Sequence, residues 1–168
     1  MQALVSIIMG STSDLPVMEA AAKFLNDMQI PFEINALSAH RTPDKVEEFA
    51  KGAYDRGIRV IIAAAGMAAH LPGVIAALTS IPVIGVPMKA TLEGIDSMLA
   101  IIQMPPGVPV ATVGINAAQN SAILATEILA VSDHALYQKL IEFKEELKKK
   151  IVKANEELAH VKYDFKVG

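Results

Sequence analysis

Short apolar runs alternate with helix-like segments along most of the chain. Each run is followed by a turn and then by a segment with apolar residues at helical spacing. Runs of this kind predict strands buried on both faces, and strand–helix units in series predict a mostly parallel sheet. We therefore expect a three-layer α/β/α fold with right-handed crossovers. The predicted strands cover residues 4–9, 31–37, 59–65, 82–86 and 108–113.

The C-terminal segment has a different pattern. From Ala135 to about Ala159 it is rich in charged residues, and its apolar residues form a narrow stripe of three- and four-residue spacing: Leu136, Leu140, Phe143, Leu147, Ile151, Ala154 and Leu158. At about 1.5 Å per residue, this helix is too long for the sheet to cover. We therefore predict one α/β domain over residues 1–168, with a core at 1–132. Residues 133–168 would form an oligomerisation helix and tail on a neighbouring subunit.

Composition agrees with burial between subunits. Hydrophobic residues make up 52% of the chain and charged residues only 20%. The two long uncharged spans, residues 60–88 and 97–126, are broken by proline and glycine into pieces too short to cross a bilayer. We therefore expect a homo-oligomer with no membrane partner. The formal net charge of −3 gives no electrostatic reason to expect nucleic acid.

The cysteine content and the N-terminal residues indicate where in the cell the protein is expected. The chain has no cysteine, which excludes disulfides and thiolate chemistry. Residues 1–5 lack the basic region and cleavage pattern of a signal peptide, so we expect a cytoplasmic location. No cluster of His, Asp or Glu has the spacing of metal ligands, and we expect no metal.

The turn after the second predicted strand is Ser38-Ala39-His40-Arg41-Thr42-Pro43. Thr42 suits the N-cap of the following helix, and Pro43 suits its first position. Open α/β sheets bind ligands beyond the carboxyl ends of their strands, where this turn would lie. His40 can move a proton near neutral pH, and Arg41 can bind an anion with its fork of donors. The pair predicts a substrate that carries a phosphate and undergoes proton transfer.

The turn after the first strand is Gly10-Ser11-Thr12-Ser13-Asp14. Its hydroxyls and helix N-terminal amides suit a phosphate, and the Asp14 carboxylate suits ribose hydroxyls. The alternative is that Ser13 or Asp14 only caps the helix. The turn has neither a P-loop nor a GxGxxG pattern, so ATP and NAD have no signature here.

The turn after the third strand contains His70 within Ala68-Ala69-His70-Leu71-Pro72-Gly73. Small residues let a ligand approach the backbone, and free amides at residues 66–69 suit a carboxylate or CO2. A buried histidine bonded to a carbonyl is the alternative. Position favours a functional role, because His70 is expected at the same edge of the sheet as His40.

Four motifs occur in order: residues 9–14, 38–43, 68–73 and Gln103-Met104-Pro105-Pro106-Gly107-Val108-Pro109-Val110. Together they resemble the class I PurE family of purine biosynthesis, the N5-carboxyaminoimidazole ribonucleotide mutases, over residues 4–150. The resemblance implies a flavodoxin-like fold with a parallel five-stranded sheet. It also implies an octamer whose sites are shared between subunits.

The resemblance further implies a reaction that needs no ATP, metal or organic cofactor. A carboxylate moves from the exocyclic nitrogen of the substrate to C4 of its imidazole through loss and recapture of CO2. His40 would be the general acid and then the general base, and His70 would be the second catalytic residue. The substrate-binding residues would be Ser11, Ser13 and Arg41 at the 5′-phosphate, Asp14 at the ribose, Ser38 beside Arg41, and Gly66, Met67, Ala68 and Ala69 around the base and CO2.

The chain departs from the family pattern in one place. The pattern reads Ala-Gly-Ala-Gly-Gly before Ala-Ala-His, whereas this chain has Ala63-Ala64-Ala65-Gly66-Met67. We expect the loss of two glycines, one of them to bulky Met67, to alter the backbone beside the pocket and its contacts with CO2.

Two alternatives of different kinds stay open. Class II relatives carboxylate aminoimidazole ribonucleotide directly with CO2. They have Lys after the site histidine and lack His-Leu-Pro-Gly, so Arg41 and residues 70–73 favour class I. The other alternative is a flavodoxin-like module that binds a phosphorylated ligand without chemistry, for which His40 would be dispensable.

Overall fold

The computed structural model describes residues 2–167. Five parallel strands form one sheet in the order β2–β1–β3–β4–β5. Their bounds are β1 Val5–Met9, β2 Phe32–Ala36, β3 Val60–Gly66, β4 Val83–Met88 and β5 Ala111–Thr112. The predicted three-layer, flavodoxin-like α/β fold is confirmed.

Helices cover both faces of the sheet. They are α1 Leu15–Asp27, α2 Pro43–Gly52, α3 Leu71–Leu78, α4 Ile95–Ile102, α5 Ala118–Ala130 and α6 His134–Ala159. Because successive side chains of a strand point to opposite faces, Ile7 of β1 packs into the core under α1 and α5, whereas Ile8 packs into the core under α2, α3 and α4. Burial on both faces explains the continuous apolar runs of the sequence.

Strand β5 is shorter than predicted. The sequence pattern indicates a strand at residues 108–113, but only Ala111 and Thr112 pair, with Ile84 and Gly85 of β4. β5 is an edge strand with one neighbour, and Pro109 has no backbone donor to extend the ladder.

Two helix ends lie close to turns of the chain. Helix α3 begins at Leu71, so it starts directly after His70. Helix α2 ends at Gly52, five residues before Gly57. Gly57 has a φ of 95° and closes the next turn, where its N–H donates to the carbonyl of Tyr54.

Helix α6 only partly leaves its own domain. Asp133 caps it, accepting hydrogen bonds from the N–H groups of Ala135 and Leu136. Leu136 and Leu140 are buried in the core, and Phe143 meets Phe24 edge to face at a centroid distance of 5.1 Å. The first part of the predicted intersubunit stripe therefore packs within the subunit.

Beyond Phe143 the helix is exposed throughout. Residues 144–159 extend for about 24 Å at 1.5 Å per residue, with every side chain exposed. Leu147, Ile151 and Leu158 of the predicted stripe lie on this exposed part. Across residues 2–167, no helix has both the length and the apolar content to cross a membrane.

Candidate active site

A cavity of about 460 Å³ lies beyond the carboxyl ends of β1 to β4. The turns that follow these strands form its walls, as the strand order requires. The chain runs from β1 out to β2 and then crosses back to β3 on the other side of β1, so this edge is the topological switch point of the sheet. The lining residues are Gly10, Ser11, Ser13, Asp14, Ser38, Ala39, His40, Arg41, Ala65, Gly66, Met67, Ala68, His70, Leu71 and Ala90.

Another cavity, of about 870 Å³, lies at the opposite edge of the sheet, where Tyr54, Arg59 and Thr79 contribute to its lining. It is larger, but its lining among the described residues includes no histidine and no carboxylate. The histidine and carboxylate side chains that the sequence predicts for the site therefore line the smaller cavity.

His40 and His70 form a hydrogen-bonded pair in the smaller cavity. Nε2 of His40 lies 2.9 Å from Nδ1 of His70, and the rings meet edge to face at 72°. One nitrogen must donate and the other accept, so the pair holds a single proton between these two atoms. Both residues are exposed, which rules out the alternative of a buried His70 bonded to a carbonyl.

Local hydrogen bonds close the turn that carries His40. Thr42 Oγ1 accepts from the N–H of Ser38 at 2.9 Å and donates to the carbonyl of Ser38 at 3.2 Å. Thr42 is at the N-cap position of α2, but its side chain does not cap the helix, so that prediction is wrong in its detail. The threonine braces the Ser38–Thr42 loop instead, and this fixes the direction of His40 and Arg41.

Arg41 reaches across to the turn after β1. Its Nη2 donates to the carbonyl of Gly10 at 2.9 Å, and its backbone N–H donates to Ser38 Oγ at 3.2 Å. No carboxylate among residues 2–167 forms a salt bridge with Arg41. The remaining guanidinium donors are therefore available to an anionic ligand.

The hydroxyls of Ser11 and Ser13 face the same space. Ser13 Oγ donates to Ser11 Oγ at 3.0 Å, and Ser11 Oγ also accepts from the backbone N–H of Ser13 at 3.3 Å. A short 3-10 turn, Thr12–Asp14, follows and leads into α1. Hydroxyl donors beside an arginine that still has guanidinium donors to offer form a suitable environment for a phosphate.

Asp14 is half-buried at the start of α1, yet its side chain makes no capping hydrogen bond there. Partial burial raises the pKa of the Asp14 carboxyl, and a contact with the Ser13 hydroxyl opposes this shift. The alternative in which Asp14 only caps the helix is therefore not what the structure shows. Its carboxylate is available to accept hydrogen bonds from ligand hydroxyls.

The turn after β3 supplies the remaining wall. Gly66 and Ala68 line the cavity, and a Cβ on Gly66 would lie 3.4 Å from Cβ of Met88. Met67 also lines it and has a φ of 54°, in the left-handed region that favours glycine. Ala69 does not line it, because its side chain is buried in the core beside α3. Of the predicted site residues, only Ala69 lies outside the cavity lining.

Five lining residues were not among the predicted site residues: Gly10, Ala39, Ala65, Leu71 and Ala90. Gly10, Ala39 and Leu71 belong to motifs that the sequence had already singled out, and Ala65 is at the end of β3. Ala90 is different, because it follows β4. The rule that ligands bind at the carboxyl ends of the strands points to this fourth turn too.

Among the described residues, no group of three or more His, Asp or Glu side chains could hold a metal ion.

The fold and the cavity together define a doubly wound α/β protein with a histidine pair and an arginine at its switch point. A family model described as AIR carboxylase matches residues 4–150. The chain belongs to the AIR carboxylase family.

Individual relatives cover nearly the whole chain. The N5-carboxyaminoimidazole ribonucleotide mutase of Pyrococcus abyssi is 58% identical over 86% of this chain and 84% of its own. The enzyme of the same name from Thermotoga maritima is 53% identical over 95% of this chain and 94% of its own. A crystal structure of Treponema denticola PurE superimposes with a TM-score of 0.84 at 28% identity, covering 94% of this chain and 99% of that one.

Proposed function

We propose that the protein is an N5-carboxyaminoimidazole ribonucleotide mutase of purine biosynthesis. It converts its substrate to 4-carboxy-5-aminoimidazole ribonucleotide. The observation that carries this proposal is the position of the His40–His70 pair in the same cavity as Ser11, Ser13 and Arg41. The cavity thereby combines a proton carrier with donors for a phosphate. The relatives with this activity in their names support the choice of substrate.

The proposed reaction conserves atoms and electrons. The bond between the exocyclic nitrogen and the carboxylate breaks, its electron pair stays on nitrogen, and nitrogen takes a proton from His40. CO2 and aminoimidazole ribonucleotide are then present together in the cavity. C4 bonds to the carbon of CO2, and the proton of C4 returns to His40, which restores the aromatic ring. His40 therefore acts first as an acid and then as a base.

His70 has a positioning role in this scheme, because its Nδ1 contacts His40 Nε2. It selects the tautomer of His40 and shares the proton that His40 gives and regains. Arg41, Ser11 and Ser13 hold the 5′-phosphate, and Ser38 holds Arg41 through a backbone hydrogen bond. The Asp14 carboxylate accepts hydrogen bonds from the ribose.

The decisive experiment mixes the purified protein with the N5-carboxy substrate, without ATP and without added bicarbonate. Formation of the C4-carboxylate supports the mutase. If product forms only from aminoimidazole ribonucleotide and added bicarbonate, the protein is a carboxylase that uses CO2 directly. This second candidate is considered because the matching family is described as a carboxylase family. Binding without product in either assay would leave only a non-catalytic ligand-binding module.

We also propose that copies of this chain assemble in the cytoplasm as an octamer, through the distal part of α6. The side chains of Leu147, Ile151 and Leu158 support a second copy as the partner of this helix, because they are apolar and exposed on one subunit alone. The high apolar content of the chain supports the same proposal. The number of subunits follows from the resemblance to the class I family.

A further inference from the structure

Met67 has a left-handed backbone and an exposed side chain at the edge of the cavity. Its backbone is in the left-handed region, with a φ of 54°, although its side chain has a Cβ that disfavours this conformation. Its side chain is 58% exposed, so burial in the core of this subunit does not offset the strain. Glycine would take this conformation without cost. The side chain is therefore kept for what it does outside the core.

The surroundings of Met67 indicate what that is. It lies between Gly66 and His70 on the turn after β3, and it lines the cavity that contains the His40–His70 pair. The neighbouring lining residues have small side chains that cover little of the cavity: Gly66 and Ala68 on this turn and Ala90 after the next strand. Methionine is unbranched and flexible, so it can move to admit a ligand and then return. Met67 is the large apolar side chain at this exposed side of the cavity.

The proposed reaction has a step that needs such a side chain. After the bond from nitrogen to the carboxylate breaks, CO2 is neutral and has no ionic contact to hold it. It must stay near C4 until the new C–C bond forms and His40 takes the C4 proton. A small neutral molecule is kept in place when the cavity is closed to solvent, and an apolar side chain can close it.

We propose that Met67 is a movable cover that retains CO2 in the cavity between its release from nitrogen and its capture by C4. This inference rests on the proposed mutase function. Met67 forms no bond and carries no proton, so its role is to prevent escape. Its loss should lower the fraction of CO2 that is transferred directly, whereas the proton transfers of His40 remain possible.

The test uses substrate labelled with ¹³C in its N5-carboxylate. The reaction is run in excess unlabelled bicarbonate with carbonic anhydrase. Any labelled CO2 that escapes is then rapidly diluted into the unlabelled pool. Mass spectrometry of the C4-carboxylate then measures the fraction transferred without escape. Met67→Gly removes the cover and Met67→Leu retains an apolar side chain of similar size. Leu92→Gly is the matched control, because Leu92 is also left-handed, with a φ of 43°, and 75% exposed, but it does not line the cavity.

We expect wild type, Met67→Leu and Leu92→Gly to retain most of the label, and Met67→Gly to lose it several-fold more often. Both glycine variants should have a raised Tm, because both relieve left-handed strain, so a folding defect would not explain the loss. Equal retention in Met67→Gly and wild type overturns the inference. So does equal loss in Met67→Leu and Met67→Gly.

Sedimentation of each variant separates a cover from a contact between subunits. If label loss in Met67→Gly occurs together with dissociation of the assembly, Met67 is an interface residue and the inference is overturned. Unchanged sedimentation together with label loss supports it. Failure of the proposed function has a different signature, because the wild-type protein itself would then form no C4-carboxylate from the N5-carboxy substrate.

Discussion

His40 is the side chain on which the proposed chemistry depends most directly. His40→Asn keeps a polar group of similar size but cannot carry the proton between nitrogen and C4. We expect kcat to fall by at least about 100-fold, since a positioned general acid–base contributes this much or more. The fold should persist, because His40 is exposed. His134→Asn is the control, an exposed histidine outside the cavity. Near-normal turnover by His40→Asn would contradict the catalytic assignment.

Arg41 belongs to binding rather than to chemistry. Arg41→Ala removes the guanidinium group that lies beside Ser11 and Ser13, and a hydrogen bond to a charged group contributes about 1.5–3 kcal/mol. We therefore expect KM to rise about 10- to 150-fold with a smaller change in kcat. Arg59→Ala, at the opposite edge of the sheet, should leave KM unchanged. An unchanged KM in Arg41→Ala would remove Arg41 from the phosphate site.

Asp14 makes stability depend on pH in a defined direction. Its pKa is raised by burial, so folding favours the protonated carboxyl. That contribution is complete at pH values below the ordinary pKa of 3.8 and is lost as the pH rises through the raised value. Asp14→Asn should therefore match wild type in acid and be more stable near neutral pH. Urea unfolding at a series of pH values measures this, and a variant less stable than wild type at neutral pH would contradict it.

Single residues also mark where prediction from sequence fails. The turn containing His40 and Arg41 was predictable, because proline and charged residues identify its strand-to-helix position. The use of Thr42 to brace Ser38 was not, since the same residue type suits an N-cap equally well. The left-handed backbone of Met67 is not evident from the residue type, and only the glycine that the family pattern has at this position points to it.

At the scale of secondary-structure elements, α6 depends on its first turn. Asp133 accepts hydrogen bonds from the N–H groups of Ala135 and Leu136. Asp133→Ala leaves both donors without this partner, and loss of a cap costs about 0.5–2 kcal/mol. We expect unfolding free energy to fall by this amount in chemical denaturation. Asp133→Asn should retain most of the stability, because asparagine caps equally well. Equal loss in both variants would point to the charge of Asp133 instead.

Element type was predictable wherever the apolar pattern was long. Strands β1 to β4 have the expected positions because their burial follows directly from composition and period. β5 is the exception, since the pairing of an edge strand depends on a neighbour rather than on its own residues. The division of α6 was also hidden. Its apolar spacing continues past Phe143, although only Leu136, Leu140 and Phe143 reach the core.

At the scale of the whole molecule, the distal part of α6 predicts assembly. A chain that ends at Glu146 keeps Leu136, Leu140 and Phe143 in the core, so its domain should fold. It loses Leu147, Ile151 and Leu158, and we expect sedimentation velocity to show smaller particles than for the full chain. Lys150→Ala, a change to a charged residue on the same exposed segment, is the control and should not alter the assembly. An unchanged particle size for the shortened chain would remove α6 from the interface.

The strand order makes ligand binding a reporter of completed folding. Residues separated by up to 80 positions, from Gly10 to Ala90, meet around one cavity, and its walls come together only when β1 has paired with both β2 and β3. A partly folded chain that has formed only the local contacts of α1 or α2 has no such cavity. A phosphate ester of the substrate class should therefore bind the native state alone. It should raise Tm with its concentration as mass action requires and slow unfolding rather than speed folding.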